Sequence, residues 1–269
     1  MHRAFIRLVS FSALLFCFGT VTARDNDVDK PALIERILDT DRRQAEQIHD
    51  VSFDAEYIEG ERNDDGVFEE KARFVKKVML LYTDDTVYFR EDYLEYWKEG
   101  SRQSEEDLRK EAADRYDRKQ RRKGRDLSWP IMSPFYTENQ ERYEIEYVGM
   151  ADGLVEERTC YQFRVRAREE SDELINGDYY FEVASFHLVR VDFSPARLVK
   201  KTMFKLKELN MSIRYRPVTE GFWLPYRTDI SGKGKAAFFF GVSFAGTEYY
   251  RNPRINTGLS PDMFEVAHD

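Results

Sequence analysis

The sequence predicts a mainly β (α+β) fold, in which helices cover the concave face of a curled antiparallel sheet. Three observations carry this prediction: many runs in which apolar and polar residues alternate, one helical run near the start, and one highly charged run in the middle. Alternation with a period of two places one side of each strand against a core and the other side in water. Short turns between the runs favour antiparallel neighbours, because parallel strands need longer crossover connections.

A helix is expected to begin at Pro31 and to run past Leu38. Proline suits the first turn of a helix, and Asp29 or Lys30 lies near the cap. Apolar residues recur at helical spacing after Pro31, so one face of the helix is expected to pack against other elements. These residues are Leu33, Ile34, Ile37, Ala45 and Ile48.

Strands are predicted over most of the chain after this helix. In the run 161–167, for example, Phe163 and Val165 alternate with Arg164 and Arg166. Together the runs indicate an antiparallel sheet with one covered face. The other runs lie at 53–57, 74–82, 87–93, 143–147, 179–183, 209–215, 222–226 and 236–244.

The parity of the apolar residues changes within one of these strands. Phe204 and Leu206 share one parity, whereas the apolar residues of 209–215 have the other. A slip of one residue turns every later side chain to the opposite face. We therefore expect a bulge or sharp bend near Lys207 and Glu208, which also lets a large sheet curl.

Two charged segments interrupt the strand pattern. Residues 100–126 contain no β-branched run and are acidic at first and basic at the end, which suits the helix dipole, so we interpret them as a surface helix inserted between strands. Their basic cluster, 121–125, is interpreted as a solvated helix end, with contact to anionic lipid headgroups or nucleic acid as the alternative. Residues 232–235, Gly-Lys-Gly-Lys, are interpreted as a basic hairpin turn.

Residues 1–23 are predicted to be a cleaved secretory signal peptide. Arg3 and Arg7 supply its positive start, an apolar run follows at 8–18, and small residues precede a cut after Ala23. The alternative is a membrane anchor, but the apolar run is shorter than the roughly 20 residues that span a bilayer. We therefore expect a periplasmic protein.

The expected mature chain, 24–269, is interpreted as a single domain without a membrane-spanning segment. Phe16 before Cys17 argues against a lipid-modified cysteine, because that site usually follows a small residue. Without the two arginines of the signal peptide, 40 basic and 50 acidic side chains give a net charge of −10. This charge argues against nucleic acid as a partner. Only Cys160 would remain, and we interpret it as a buried structural thiol rather than a disulfide partner or nucleophile.

Motifs for catalysis are scarce. His49, His187 and His268 stand at no metal-ligand spacing from another histidine or cysteine. The chain has no G-x-S-x-G motif and no P-loop. The aspartate pairs at 64–65 and 84–85 lie beside turn signals and are interpreted as turn formers. The sequence thus predicts no catalytic residue, no metal site and no cofactor.

Aromatic residues, which form 14% of the chain, are the remaining functional signal. They either fill a core or line the concave face of a curved sheet that holds a long apolar ligand, and the sequence leaves both readings open. Likewise, the residues that flank the charged insert either form a lid or pack the two ends of the insert. Those residues are Trp97, Trp129, Met132, Phe135 and Tyr136. The candidates for ligand binding are Phe89, Trp97, Trp129, Phe135, Phe163, Phe181, Met211, Ile213 and Phe238.

The C-terminal half carries a family resemblance. A strand pair at 179–192 is followed by a strand at 211–215, by the run Gly-Phe-Trp-Leu-Pro at 221–225 and by short segments at 255–256 and 261–264. This order of motifs resembles the outer-membrane lipoprotein-sorting (LolA-like) family, best over residues 140–266. The resemblance implies an unclosed β-barrel, or half-barrel, capped by helices, whose concave apolar face holds lipid or the acyl chains of lipoproteins. It marks Gly221, Trp223 and Pro225 as architectural positions.

These observations together predict a non-catalytic periplasmic carrier of lipid or lipoprotein. Each buried methylene group contributes about 0.8 kcal/mol, so a single long chain binds without specific polar contacts. The charged insert departs from the compact carriers of the family and favours the alternative, an envelope sensor or assembly module that binds a protein partner through the same fold. A hydrolase with a site scattered over the sheet is a third possibility, which the missing motifs disfavour.

Overall fold

One antiparallel sheet of twelve strands forms most of the part of the chain that the structure describes. The computed structural model describes residues 29–63, 65–83, 85–120, 131–198, 200–201, 204–219, 221–236 and 240–264. The predicted signal peptide, the basic cluster 121–125, Trp129 and Phe238 lie outside these residues. The strands are β1 (Asp50–Arg62), β2 (Phe68–Tyr82), β3 (Val87–Lys98), β4 (Ser101–Arg102), β5 (Tyr143–Met150), β6 (Cys160–Ala167), β7 (Ile175–Glu182), β8 (Leu188–Pro195), β9 (Lys200–Lys201), β10 (Phe204–Thr219), β11 (Phe222–Ala236) and β12 (Phe240–Ile255).

The strand order shows how the two ends of the chain meet. Eleven strands follow one another as β4-β3-β2-β1-β12-β11-β10-β8-β7-β6-β5, and β9 pairs with β10. The N-terminal strands therefore join the C-terminal ones through the pair β1 and β12, which is antiparallel like every other pair described. The two ends of this order, β4 and β5, do not pair with each other, so the sheet is not closed. The predicted half-barrel is confirmed.

Helix α1 (Lys30–Gln47) begins where the sequence indicates. The side chain of Asp29 caps it by accepting a hydrogen bond from the backbone N–H of Ala32 at 3.1 Å, and Pro31 lies in the first turn. The apolar stripe packs on the strands β5 to β8 and β10. Ala45 is exposed, contrary to the prediction, whereas Ile48, directly after the helix, is buried as predicted. The buried apolar residues of the helix are Leu33, Ile34, Ile37 and Leu38.

The core beneath α1 is built around one aromatic residue. Phe135, at the end of a short 3-10 helix (Ser133–Phe135), is fully buried. Its ring centroid lies 5.7 Å from that of Phe163, 5.1 Å from that of Tyr179 and 5.4 Å from that of Phe181, all in edge-to-face geometry. Such contacts add to the free energy of burial. The segment after the charged insert is therefore anchored in the sheet by a ring that fills its interior.

The second helix, α2 (Glu105–Gln120), confirms the helical interpretation of the insert over these residues. The hydroxyl of Ser104 accepts a hydrogen bond from the backbone N–H of Asp107 at 3.2 Å, which caps the first turn. Three acidic residues in that turn, Glu105, Glu106 and Asp107, complement the helix dipole. Within the described ranges, no helix combines the length and hydrophobicity needed to cross a bilayer.

Strand β10 contains the predicted irregularity. Its register against β11 shifts between Leu206 and Glu208, which confirms the expected bulge. The interpretation of 232–235 as a turn is wrong, because these residues continue β11. A Cβ atom on Gly232 would lie 2.4 Å from the ring of Phe244, and one on Gly234 would lie 2.8 Å from a backbone oxygen of β10. These glycines therefore allow neighbouring groups to approach closely, rather than allowing a turn.

The positions marked as architectural shape one hairpin. Gly221 has a φ of +94° in the turn between β10 and β11. Trp223 stacks on His187 with ring centroids 5.3 Å apart, and its backbone exchanges two hydrogen bonds with the side-chain amide of Gln44 in α1, at 2.7 and 3.1 Å. Pro225 lies opposite Tyr215, next to a register shift. This hairpin therefore fixes α1 on the sheet.

The predicted burial of Cys160 is confirmed. The residue is fully buried in β6, and its thiol contacts the carbonyl oxygen of Arg158 at 3.6 Å. Burial, together with the negative charge of Glu182, raises the pKa of the thiol to about 11. A neutral, enclosed thiol suits packing rather than nucleophilic chemistry.

Candidate binding face beneath the charged helix

Both helices lie on the same face of the sheet, which we call the covered face. Helix α1 covers its C-terminal part, and α2 reaches its N-terminal part, built from β1, β2, β3 and β12. Phe74 of β2 is the register partner of Tyr57 in β1 and of Tyr96 in β3. These residues therefore share the covered face with Phe53, which packs against the end of α1.

Four aromatic residues form a cluster on this face, the aromatic cluster: Tyr57, Phe74, Tyr93 and Tyr96. Phe74 is its centre and is fully buried. The rings of Phe74 and Tyr96 are stacked at 4.7 Å, those of Phe74 and Tyr93 meet edge to face at 5.8 Å, and that of Tyr57 is stacked on Phe74 at 6.5 Å. The cluster gives the covered face a continuous apolar area beneath α2.

Arg115 joins α2 to this cluster. Its Cζ atom lies 3.9 Å from the centroid of the Phe74 ring. Its guanidinium group also pairs with Glu59 of β1 at 2.5 Å and with Glu111 of α2 at 3.0 Å. Burial lowers the pKa of Arg115, but its bonds to Glu59 and the other nearby negative charges outweigh burial and hold the group charged. One cation thus bonds to a carboxylate and an aromatic ring of the sheet at once.

The rest of α2 contacts the sheet weakly. Over 105–118, where side-chain exposure is described, no residue of α2 is buried, and Leu108, Glu111, Ala112 and Arg115 are half-buried. Helix α1, in contrast, buries a full apolar stripe. Most of the stability of a helix in a protein comes from packing such a stripe. Arg115 is therefore the main attachment of α2 to the covered face.

A buried lysine lies beside the aromatic cluster. The side chain of Lys76 is 5% exposed, and its Nζ atom lies 2.5 Å from Glu91 and 2.8 Å from Glu248. It also lies 5.6 Å from the ring centroid of Tyr57 and 5.7 Å from that of Tyr93. Burial lowers the pKa of Lys76, but the two carboxylates outweigh it and hold the pKa above its ordinary value. The ion triad ties β2, β3 and β12 together under the face.

The C-terminal part of the covered face is filled by the protein itself. A cavity of about 70 Å³ remains between α1 and the sheet, next to Asp41, Phe181 and Tyr215. It is far smaller than the roughly 300–1,000 Å³ of typical ligand pockets. The hydroxyl of Tyr136 donates to Asp41 at 2.6 Å. Burial raises the pKa of Asp41 above its ordinary value.

The residues predicted to bind a ligand separate into two groups. Phe135, Phe163 and Phe181 meet in the closed core beneath α1, and Met211 and Ile213 pack against it half-buried. The other two described candidates lie elsewhere. Phe89, in β3, is 43% exposed, and Trp97, at the end of β3, is half-buried. Trp129 and Phe238 lie outside the described residues.

Trp97 lies on the face opposite the aromatic cluster. It pairs with Arg73, whose side chain alternates with that of Phe74. The register between β2 and β3 shifts between Val75 and Lys76, so that Leu94 is an extra residue in β3. Because of this bulge, Trp97 lies on the face opposite the one that it would occupy in a regular strand.

The opposite face of the sheet, which we call the open face, carries a larger and more polar groove. Its volume is about 790 Å³, and charged side chains line it, among them Arg214 of β10, which pairs with Asp229 of β11. Within β11, Arg227 pairs with Asp229 at 2.8 Å, and Thr247 of β12 donates to Asp229 at 2.7 Å. Arg214 also pairs with Glu156, which precedes β6, at 2.9 Å. Such a charged surface does not suit an acyl chain, because the ion pairs would lose their hydration.

Sequence reasoning did not identify Lys76 or Arg115. A signal for Lys76 was present, since it occupies a core-facing parity between Phe74 and Val78 in an otherwise apolar stripe. Arg115 gave no such signal, because it lies among many charged residues of α2. In the part of the chain that the structure describes, no group of three histidine, cysteine or carboxylate side chains is arranged to hold a metal ion.

Neither protein-family models nor curated proteins match this chain. Among solved structures, a DUF1329 family protein from Desulfovibrio piger is 13% identical, covers 87% of this chain and 96% of its own, and has a TM-score of 0.47. An outer membrane lipoprotein-sorting protein domain from Vibrio parahaemolyticus is 12% identical, with 86% and 97% covered and a TM-score of 0.44. A LolA superfamily protein from Nitrosomonas europaea is 9% identical, with 89% and 98% covered and a TM-score of 0.37.

The family suggested by the sequence motifs thus recurs among the similar structures. The half-barrel itself is defined by the strand order and register of this chain.

Proposed function

We propose that this chain is a non-catalytic periplasmic binding protein that holds the acyl chains of a lipid or lipoprotein against the aromatic cluster. One observation supports this most: an apolar area of the covered face lies beneath a helix that buries none of its described side chains. A helix attached in this way is suited to move aside and expose the cluster. This proposal includes export by the predicted signal peptide, so that the mature chain, 24–269, would act in the periplasm as one half-barrel domain.

The free energies favour exchange of α2 for an acyl chain. A cation over an aromatic ring contributes about 0.5–2 kcal/mol, depending on its desolvation. Ten methylene groups leaving water contribute about 8 kcal/mol, at about 0.8 kcal/mol each. Loss of the contact between Arg115 and Phe74, and of the ion pair between Arg115 and Glu59, is therefore offset by burial of a short stretch of acyl chain. This explains how a binding protein of this kind works without a polar recognition motif.

Native mass spectrometry of the exported full chain tests the proposal. We expect bound lipid or acylated peptide, released by mild activation, on the protein purified from the cell envelope. Arg115→Ala is expected to change the amount retained, because it frees α2. Arg109→Ala is the matched control, since this residue lies on the same helix in an exposed pair with Glu105 at 3.4 Å. A chain that neither retains nor takes up any acyl ligand, with either variant, contradicts the proposal.

A protein partner is the second candidate. The observation in its favour is that the core beneath α1 is filled, while α2 presents a strongly charged outer side. An envelope sensor or assembly module would bind its partner through that side. Two results together would support this function over the first. The wild-type chain would capture a protein partner from the envelope in the absence of lipid. That partner would be lost in Arg109→Gln/Lys110→Gln, in which exposed charges of α2 are neutralised.

A further inference from the structure

The ends of β10, β11 and β12 project beyond the rest of the sheet. Strand β8 pairs with β10 only over 211–214, and β1 pairs with β12 only from Ala245 onward. Residues 204–210, 230–236 and 240–244 therefore form a three-stranded extension, which we call the basic arm. The short strand β9 pairs with its edge at 204–205.

Four exposed lysines lie on the basic arm: Lys205, Lys207, Lys233 and Lys235. Lys205 and Lys235 are direct cross-strand partners, so two like charges face each other. None of the four side chains forms a hydrogen bond or ion pair with another residue that the structure describes, although Glu208 is the register partner of Lys233. Like charges in this position destabilise a sheet unless an anion offsets them.

The arm also differs in charge from the rest of the chain. The arm contains four lysines and one glutamate, a net charge of +3, whereas the whole chain carries −8. The remainder therefore carries −11. Such an asymmetric distribution orients a protein at a charged surface, with the basic end toward a negative potential.

Exposed apolar side chains lie at the same end of the half-barrel. Val242, in the arm, is 39% exposed, and Val67 and Phe68, at the start of β2, are 58% and 37% exposed. Strand β1 lies between the arm and β2, since Ser243 of β12 donates to the carbonyl oxygen of Arg62 at 3.2 Å and Arg62 is the register partner of Phe68. Apolar groups that enter the interface of a membrane, beside lysines that reach phosphates, favour a lipid surface over an acidic protein.

We propose that the basic arm docks this protein on an anionic lipid surface, with Lys205 and Lys235 facing the headgroups. Each lysine near such a surface contributes about 1 kcal/mol, which is roughly a fivefold change in partitioning. Docking does not depend on what the covered face holds, because the arm and the aromatic cluster are separate parts of the sheet.

Co-sedimentation of the full chain with vesicles tests the proposal. Binding is expected to vesicles of phosphatidylglycerol mixed equally with phosphatidylcholine, and not to phosphatidylcholine alone. Lys205→Gln/Lys235→Gln should lower the partition coefficient about 25-fold. The matched control, Lys98→Gln/Lys110→Gln, changes two exposed lysines elsewhere and should leave it within twofold. The midpoint temperature of thermal unfolding of the arm variant should be unchanged or slightly higher than that of the wild type, because a like-charge contact is removed.

Three results would overturn this docking. The first is equal binding to both kinds of vesicle, or to neither. The second is an equal loss of binding in the arm and control variants, which would assign it to charge in general. The third is retention of the wild-type chain by immobilised poly-L-glutamate without binding to anionic vesicles, which would assign the arm to an acidic protein. Arg115→Ala should bind vesicles like the wild type, so a failure of acyl binding does not affect this test.

Discussion

The Cζ atom of Arg115 lies 3.9 Å from the centroid of the Phe74 ring, so that the charged helix and the sheet meet through a cation and an aromatic face. The same guanidinium group pairs with Glu59 of β1. No described side chain of α2 is buried. The position of α2 on the covered face therefore depends on this one residue more than on hydrophobic packing.

Replacing Arg115 with alanine should release α2 while the sheet stays folded. The cation–π contact alone contributes about 0.5–2 kcal/mol, and the ion pair with Glu59 is lost as well, so we expect amide hydrogen exchange in 105–118 to become faster by at least about 2- to 30-fold. Hydrogen exchange with mass spectrometry measures this directly. The control, Arg109→Ala, should leave exchange unchanged, because that side chain is 80% exposed. Equal exchange in wild type and Arg115→Ala would show that other contacts hold the helix.

The aromatic residues proposed as ligand contacts should differ sharply in their effect on stability. Phe135→Ala should lower the free energy of unfolding by about 3–5 kcal/mol, because the ring is fully buried among three others. Phe89→Ala should change it by less than about 0.5 kcal/mol, because Phe89 is 43% exposed. Urea denaturation of both variants measures the difference. Similar losses for the two would contradict the assignment of Phe135 to the core.

Removing Lys76 should destabilise the N-terminal strands. Lys76→Met leaves Glu91 and Glu248 close together without their cation, at a cost of about 3–5 kcal/mol. Adding Glu91→Gln and Glu248→Gln should recover most of this loss, since the buried charges are removed together. Urea denaturation of the single and triple variants checks the result. A triple variant no more stable than Lys76→Met would show that the triad is not the source of the loss.

Asp50 should make the stability of the protein depend on acidic pH. Its carboxylate accepts bonds from the backbone N–H groups of Thr257, Gly258 and Leu259 at 2.8, 2.8 and 3.2 Å, which fastens the C-terminal segment to β1. Burial raises the pKa of Asp50, but these bonds outweigh it, so the pKa lies below its ordinary value of 3.8. The ionised form is therefore the one that stabilises the fold.

This contribution is present above the ordinary pKa of 3.8 and is lost as the pH falls through the lower value of the folded protein. Asp50→Asn should lower the free energy of unfolding by about 2–4 kcal/mol at neutral pH, since several bonds to a charged acceptor are weakened. It should also reduce the loss of stability on acidification. Urea denaturation at neutral pH and below pH 4 checks both. A variant with the full acid dependence of the wild type would contradict this role.

The sequence predicted the elements better than the contacts between them. Alternation identified the strands, and the parity change at Leu206 and Leu209 located a bulge that the register of β10 confirms. The bulge at Leu94 left no such signal, so Trp97 was expected beside the other aromatic candidates but lies on the opposite face. Local patterns fix which residues alternate, whereas the extra residue of a bulge depends on the partner strand.

The candidate site was harder to predict for the same reason. Phe74 was expected on a covered face, but its partner Arg115 is separated from it by 41 positions and belongs to a helix without an apolar stripe. The glycines at 232 and 234 suggested a turn, although close approach of Phe244 and of β10 requires them. Both features depend on residues that become neighbours only in the assembled sheet, in which β12 pairs with β1. Local sequence patterns therefore do not show them.

Hydrogen exchange of the full chain, with and without a saturating long-chain fatty acid, tests most directly whether α2 covers an acyl-binding face. Peptides from 105–118 should exchange faster when the ligand is bound, because α2 is displaced. Peptides from β1 and β2 that contain Tyr57 and Phe74 should exchange more slowly, because an acyl chain covers them. Unchanged exchange in both regions at a ligand concentration that saturates binding would contradict the proposed function.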